Sequence, residues 1–350
     1  MNIQENVPLA PLTTFHIGGP ARFFIEAHTE QEVEEAIIFA RDKKMQMLVL
    51  GNGSNVLVPD EGVDGVVMHI TARTIIFQEE GDDTLLIADA GALWEEIVDA
   101  VNERGLFGIE NLAGIPGTMG GAVAQNIGAY GAELSQVFEY ADVINTATGA
   151  RERIKRTEAE FGYRTSFFKT HRELIVMRVA LRLSKQTPPN LSYLDLALVL
   201  RSLGEAGRAG DSGATLETPA DISRAVRAIR TAKFPRSPDE GTAGSFFKNP
   251  CVSQALADSI AERFPGVPLF PQNDGTVKVA LAWLLDHALS LKGYAEGQVR
   301  LYEKQPLVIA TSTGATATEV DAFANKITER VFSATGIRIE REVEMFGTQK

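Results

Sequence analysis

Residues 241–250 read GTAGSFFKNP, and the side chains there with chemical capacity are Ser245, Lys248 and Asn249. Thr242, Ala243 and Gly244 keep bulk low ahead of Ser245, so backbone or ligand can approach, while Phe246 and Phe247 can anchor the loop in apolar surroundings. A stretch of this kind presents a hydroxyl. Lys248 adds a charged donor and Asn249 an amide that both donates and accepts, a set suited to an anionic polar ligand. The same decapeptide would also serve as a plain turn between two elements. No GxSxG elbow surrounds Ser245, which weakens the case for an acyl-transfer hydrolase.

Two glycine-rich passages offer a second kind of chemistry: GNGSN at 51–55 and GIPGTMGGAVAQNIGAYG at 114–131. Such loops expose backbone N–H groups that can cradle phosphate, with Ser54, Asn55, Gln125 or Asn126 as side-chain partners. Neither is a Walker A loop or a GxGxxG fingerprint, and either alone would read as a structural turn. Together they point to a dinucleotide held between two lobes. In FGYRTSFFK, at 161–169, Arg164 stands beside Tyr163, with Ser166 and Lys169 close behind. A guanidinium there suits a planar carboxylate or a flavin face, because it binds bidentately and stacks; a partly exposed turn over core phenylalanines is the alternative. Lys233, Lys248 and Lys292 could serve a diphosphate as point charges, or be ordinary solvated lysines. Glu340 and Glu342, in IEREV, would share one face of a strand opposite Arg341, as an acid near Ser245 or as strand-end surface charge.

Several classes drop out. The formal net charge of −12 weighs against non-specific nucleic-acid binding. A single cysteine, Cys251, rules out an internal disulfide and a thiolate-rich metal site, and it reads as a small hydrophobe rather than a nucleophile. His16, His28, His69, His171 and His287 lack ligand spacing such as HExxH, so no metal is expected. The start, MNIQENVPLA, lacks the n- and h-regions of a signal peptide, and the longest apolar runs are too short to cross a bilayer. The expectation is a cytosolic protein.

These groups need a scaffold, and 350 residues, 44% hydrophobic and 23% charged, favour two or three globular domains. The pattern predicts a strand after a glycine-containing turn at 12–28, then an amphipathic helix over 30–44 with Val33, Ala36, Ile37 and Ala40 on one face, then strands at 45–50 and 65–70. Strands at 75–78 and 84–88 flank the acidic turn EEGDD, and Leu93, Ile97, Val98 and Val101 recur at helical spacing. The passage 114–131 is too glycine-dense to be one regular element. Further strands are expected at 141–145 and 173–183. Residues 185–217 change texture and read as an excursion or linker, helical through Leu203 and ending in GEAGRAGDSGATLE. Thr218 and Pro219 mark the start of a helix to Ala232. A last α/β unit has helices near 253–264, 279–288 and 316–335, and strands near 306–310 and 337–342.

LGNGSN, GIPGTMGGAVAQNIGAYG, YRTSFFK, GSFFKNP and REVEMFG, in this order and spacing, resemble the UDP-N-acetylenolpyruvoylglucosamine reductase family of bacterial peptidoglycan synthesis, over essentially the whole chain. The resemblance implies a mixed α/β (α+β) architecture: the two-lobed FAD-binding fold of vanillyl-alcohol-oxidase-type flavoproteins plus a third, substrate-binding α/β domain. It places the first FAD-binding lobe at 1–72, with 344–350 returning to it, the second at 73–217 with a tyrosine loop near 185–200, and the substrate domain at 218–343. For FAD it implies Gly51, Asn52, Gly53, Ser54, Asn55, Gly114, Ile115, Pro116, Gly117, Thr118, Gly120, Gly121, Gln125, Asn126 and Gly128. For substrate it implies Tyr193, in PNLSYLDL, as the tyrosine of a covering loop, and Lys233, Asn249, Lys292 and Gln305 at the uridine diphosphate. Tyr163, Arg164, Ser245 and Glu342 match the reactive centre.

The implied activity is NADPH-dependent, FAD-mediated reduction of the enolpyruvyl ether of UDP-N-acetylglucosamine enolpyruvate by a monomer. Arg164 and Glu342 would stabilise the enolate and Ser245 would protonate the carbon, with Lys233 or Lys248 supporting its alkoxide. A flavin oxidase on the same fold, and a nucleotide-binding module that has lost the reaction, are the rival readings. Two positions depart from the family's pattern: Thr165, where aspartate is usual, and Arg341, where proline or histidine is commoner.

Overall fold

The computed structural model describes residues 1–193, 196, 198–200, 218–235 and 240–347. The expected linker sequence at 204–217 and the C-terminal residues 348–350 lie outside the described residues, as do Leu194 and Asp195 of the tyrosine motif. The chain divides into two compact units, one of Met1–Asn6, Arg22–Asn52 and Asp64–Ala232, the other of Val7–Ala21, Gly53–Val63 and Lys233–Lys350.

The first unit carries two sheets. A four-stranded sheet runs in the order Ile3–Pro8, Pro20–Ala27, Val63–Ile70, Met47–Leu50, the last two parallel. Helix Glu30–Lys43 buries the expected stripe, Val33, Ala36, Ile37 and Ala40, against Phe23, Ile25, Val66 and Met68. Thr29 starts it by accepting from Glu32 N at 3.2 Å, and Lys44 ends it in the left-handed region at φ 56°. The second sheet is antiparallel, in the order Arg151–Lys155, Phe138–Asn145, Leu174–Ser184, Asp83–Asp89, Ile75–Glu80. Helices Trp94–Glu103 and Pro219–Lys233 contribute to its core, in which Trp94 is fully buried and donates through Nε1 to Leu112 O at 2.9 Å. The glycine-dense passage is, as expected, no single element: it holds the short helix Met119–Gln125, capped by Thr118, and then the strand Gly128–Ala129.

Glu110 is buried in this unit, its carboxylate accepting from Gly108 N at 2.6 Å. Desolvation pushes its pKa above the ordinary glutamate value, so the folded state holds the proton more tightly than the unfolded one. The resulting stability is fully present below the unfolded pKa and is lost as pH rises through the folded one. Glu110→Gln is therefore expected to raise the thermal midpoint at pH 8, with the gain vanishing as pH falls toward 4. Thermal denaturation of the two proteins across that range checks it.

The second unit has a four-stranded sheet, Glu240–Gly241, Gln305–Ser312, Val299–Tyr302, Ala295–Glu296, and a three-stranded one, Cys251–Val252, Val277–Val279, Leu269–Pro271. Helix Ala317–Thr335 starts with a Thr316/Glu319 capping box, and Asp60 accepts from Ala317 N at 2.7 Å and Thr318 N at 3.0 Å. Two expectations are corrected here. The helix expected over 279–288 is a short α-helical piece, Leu281–Trp283, followed by a π-helix, Leu284–Ala288. No regular strand spans 337–342; only Arg341 forms a bridge, to Phe247, and the chain next pairs at Glu344–Met345, in parallel with Val56–Leu57. The alternation of Glu340 and Glu342 on one strand face therefore has no strand to rest on.

Candidate active site

In the first unit, Gly51 meets the second glycine loop so closely that a β-carbon there would lie 2.9 Å from Thr118 Oγ1. The loop around Thr118 is fixed from behind: Trp94 N donates to Gly117 O at 3.0 Å, Met119 N to Ala92 O at 2.9 Å and Gly120 N to Ala90 O at 2.9 Å. Gly114 donates through its N–H to Glu95 Oε2 at 2.7 Å and accepts at its carbonyl from Arg230 Nε at 2.9 Å. Desolvation lowers the Arg230 pKa, opposed by Tyr130 and Glu95, yet a guanidinium so far from its titration range stays charged. The close approach of Gly51 to Thr118, beside the partly buried Arg230, fits a dinucleotide diphosphate.

The FGYRTSFFK segment folds as a closed two-residue turn. Gly162 N donates to Thr165 O at 3.0 Å and Thr165 N to Gly162 O at 3.2 Å, leaving Tyr163 and Arg164 at the tip. Thr165, the first departure, closes the turn through its backbone. Arg164 sits at φ 57°, a left-handed conformation uncommon for a non-glycine residue and one that persists where the surroundings impose it. Those surroundings are the 119–128 passage. Arg164 Nη2 donates to Gly128 O at 2.7 Å, Asn126 Nδ2 to Gly162 O at 3.0 Å, Ser166 Oγ to Ala124 O at 2.7 Å, and Lys169 Nζ to Gln125 Oε1 at 2.6 Å. Asn126 is buried and also accepts from Ser135 N at 3.0 Å, so its amide positions the arginine turn, and Gln125 takes the Lys169 ammonium.

In the second unit, half-buried Ser245 follows Gly244, whose φ of 74° calls for glycine although a β-carbon would meet nothing. Phe246 N donates to Leu307 O at 2.7 Å on one side, and on the other Glu342 N donates to Phe246 O at 2.8 Å and Lys248 N to Glu340 O at 2.9 Å. The Ser245 loop thus lies between Gln305–Ser312 and the segment bearing Glu342, with Phe246 and Phe247 buried beneath, as their anchoring role requires. Lys248 pairs with exposed Glu340 at 3.0 Å. Arg341, the second departure, donates to Asp321 Oδ1 at 2.6 Å and Asn325 Oδ1 at 2.9 Å, moorings on helix Ala317–Thr335 next to Glu342.

Two threads join the rest of GNGSN to this loop. Asn55 Nδ2 donates to Glu342 O at 3.2 Å, and Glu344 N to Asn55 O at 3.1 Å. Thr14 N donates to Gly53 O at 3.1 Å while its Oγ1 donates to Thr242 O at 2.6 Å. Sequence reasoning passed over Thr14, Arg230 and Tyr130; Thr14 lay in a noted glycine turn, and Arg230 one helical turn before Lys233.

Gly51, Asn52, residues 114–128, Tyr163, Arg164 and Tyr193 fall in the first unit, and Gly53, Ser54, Asn55, Lys233, Ser245, Asn249, Lys292, Gln305 and Glu342 in the second. Asn249 Oδ1 accepts from Leu281 N at 3.0 Å, Lys292 pairs with Asp286 at 2.8 Å, and Gln305 opens the strand Gln305–Ser312. Tyr193 is 42% exposed.

Residues 21–155 match the FAD binding domain family, and residues 236–346 match the family described as UDP-N-acetylenolpyruvoylglucosamine reductase, C-terminal domain. The chain is 37% identical over 348 residues to a UDP-N-acetylenolpyruvoylglucosamine reductase of Pseudomonas aeruginosa, covering 99% of each. A protein of the same name from Burkholderia cenocepacia is 39% identical over 346 residues, covering 98% of this chain and 96% of that one. Among solved structures, the UDP-N-acetylenolpyruvylglucosamine reductase of Thermus caldophilus aligns with a TM-score of 0.67 at 26% identity over 99% of both chains. The 6-hydroxy-D-nicotine oxidase of Arthrobacter nicotinovorans shares the fold, with a TM-score of 0.52 at 13% identity over 95% of this chain and 86% of that one.

Proposed function

The chain belongs to the UDP-N-acetylenolpyruvoylglucosamine reductase family, and from that premise we propose how its own residues divide the reaction. It is an FAD-dependent oxidoreductase that reduces the enolpyruvyl ether of UDP-N-acetylglucosamine enolpyruvate to UDP-N-acetylmuramate for peptidoglycan synthesis, with NADPH as reductant. When bound, FAD would supply the hydride-transfer chemistry between NADPH and the enol ether.

The remaining work falls to side chains. Residues 51–55 and the 114–121 loop hold FAD. Arg164 grips the substrate carboxylate, where negative charge grows as the neighbouring carbon becomes carbanion-like, and Glu342 steadies the same enolate. Ser245 Oγ gives its proton to that carbon. Lys233 or Lys248 supports the resulting alkoxide, Lys248 from its pairing with Glu340. Lys233, Asn249, Lys292 and Gln305 bind the uridine diphosphate, and Tyr193 covers it. We further propose FAD lobes at 1–72 and 73–217, a substrate domain at 218–343, and a monomer working in the cytoplasm; among the described residues no helix is long and apolar enough to cross a membrane.

The observation that carries this division is the Arg164 turn: a left-handed arginine at the tip of a backbone-closed turn, held by Gly128 O. The test is spectroscopic. Purified protein should be yellow, bleach anaerobically with NADPH, and regain its colour without oxygen when UDP-N-acetylglucosamine enolpyruvate is added. A colourless protein, or reduced flavin indifferent to that substrate, would sink the reading.

A further inference from the structure

Beside Arg164 lies a short hairpin, Gly128–Ala129 paired with Ala132–Glu133. Its two-residue turn is Tyr130–Gly131, both at positive φ, 48° and 83°, the signature of a tight primed turn. One end of this hairpin, Gly128 O, holds Arg164 Nη2 at 2.7 Å. The turn itself seats the segment that carries Tyr193. Asn190 Nδ2 donates to Gly131 O at 2.8 Å, and Tyr193 sets its ring edge-to-face on Tyr130, with centroids 5.2 Å apart at 84°. Buried Asn111 spans the junction, donating through Nδ2 to Tyr130 O and to Asn190 O, both at 2.8 Å. Asn190 Oδ1 closes the local turn by accepting from Ser192 N at 3.1 Å and Ser192 Oγ at 2.6 Å. The fit is tight: a β-carbon on Gly131 would stand 3.0 Å from Asn190 Nδ2.

We propose that Asn190 and Asn111 are positioning residues that pin the base of the Tyr193 loop to the hairpin holding Arg164, so that the substrate cover is set in register with the carboxylate grip. The proposal rests on the reading of Tyr193 as a cover over the nucleotide sugar. Its physical content is preorganisation. A loop already fastened at its base loses less freedom when it closes on substrate, so loss of a pin weakens substrate binding and leaves flavin reduction by NADPH untouched.

The experiment uses the FAD-loaded enzyme and four proteins: wild type, Asn190→Ala, Tyr193→Ala and the double variant. For Asn190→Ala, KM for UDP-N-acetylglucosamine enolpyruvate should rise about 3- to 10-fold, the worth of one hydrogen bond, with kcat within about 2-fold of wild type. Perturbation of the oxidised flavin spectrum by that substrate should report the same loss of affinity without turnover. The double variant should bind no worse than Tyr193→Ala alone, since the pin acts through the tyrosine. If Tyr193→Ala raises KM and Asn190→Ala does not, or if the two effects simply add, the pin is refuted while the cover stands. If Tyr193→Ala leaves KM unchanged, the cover reading itself fails and the pin with it. Should Asn190→Ala fold poorly, Asn190→Asp keeps the turn-closing acceptor for Ser192 and replaces the donor to Gly131 O with an acceptor; an unchanged KM there would overturn the proposal as well.

Discussion

Ser245→Ala is expected to lower turnover of UDP-N-acetylglucosamine enolpyruvate by about 10²–10⁴-fold, the usual worth of a positioned general acid. NADPH should still bleach the flavin at close to the wild-type rate, because that half-reaction protonates no substrate carbon. The substitution removes one oxygen from a loop whose backbone is held independently, by Phe246 N to Leu307 O at 2.7 Å and Glu342 N to Phe246 O at 2.8 Å, and whose phenylalanines are buried. Folding and flavin content should therefore survive, and any deficit belongs to the chemistry. Anaerobic stopped-flow traces of the two half-reactions separate the cases. Near-normal reoxidation by substrate would exclude Ser245 as the proton donor.

Arg164→Lys is expected to cost about 10²–10³-fold in kcat/KM, the scale seen when one donor to a developing oxyanion is removed. The charge is kept, so the loss isolates geometry: a guanidinium binds a carboxylate with two parallel N–H groups while an ammonium offers a point charge. The turn should persist, because Gly162 and Thr165 close it through backbone at 3.0 and 3.2 Å, and Asn126 holds Gly162 O at 3.0 Å. The bond from Arg164 Nη2 to Gly128 O, by contrast, is lost with the guanidinium. Steady-state kinetics with flavin content as control decides it; an Arg164→Lys enzyme within a few-fold of wild type would mean that charge alone suffices at that position.

Much of the scaffold was legible because its rules are local. The stripe Val33, Ala36, Ile37, Ala40 buries one helix face as its spacing says, Thr218 donates and accepts at the start of Pro219–Lys233 as a cap should, and the acidic turn joins the hairpin Ile75–Glu80 and Asp83–Asp89. The reading failed where the outcome depended on a partner. A strand over 337–342 satisfies alternation, but the chain there forms a single bridge, Arg341 to Phe247 of the Ser245 loop, and no ladder. The π-helix at Leu284–Ala288 likewise has no mark in a pattern that counts 3.6 residues per turn.

Taken alone, the sequence determined the family and the reaction, and nominated the residues proposed at the reactive positions, since motifs in fixed order survive without knowledge of any contact. Only the tertiary structure decided what holds those residues: that Asn126 serves the Arg164 turn, that Lys248 belongs to Glu340, that Arg341 moors the segment of Glu342, and that Thr14 ties Gly53 to the Ser245 loop. The reason is that a side chain's capacity is written in its own chemistry, whereas its use depends on which donors and acceptors folding brings within 3 Å or so, and residues 14 and 242 carry no trace of one another along the chain.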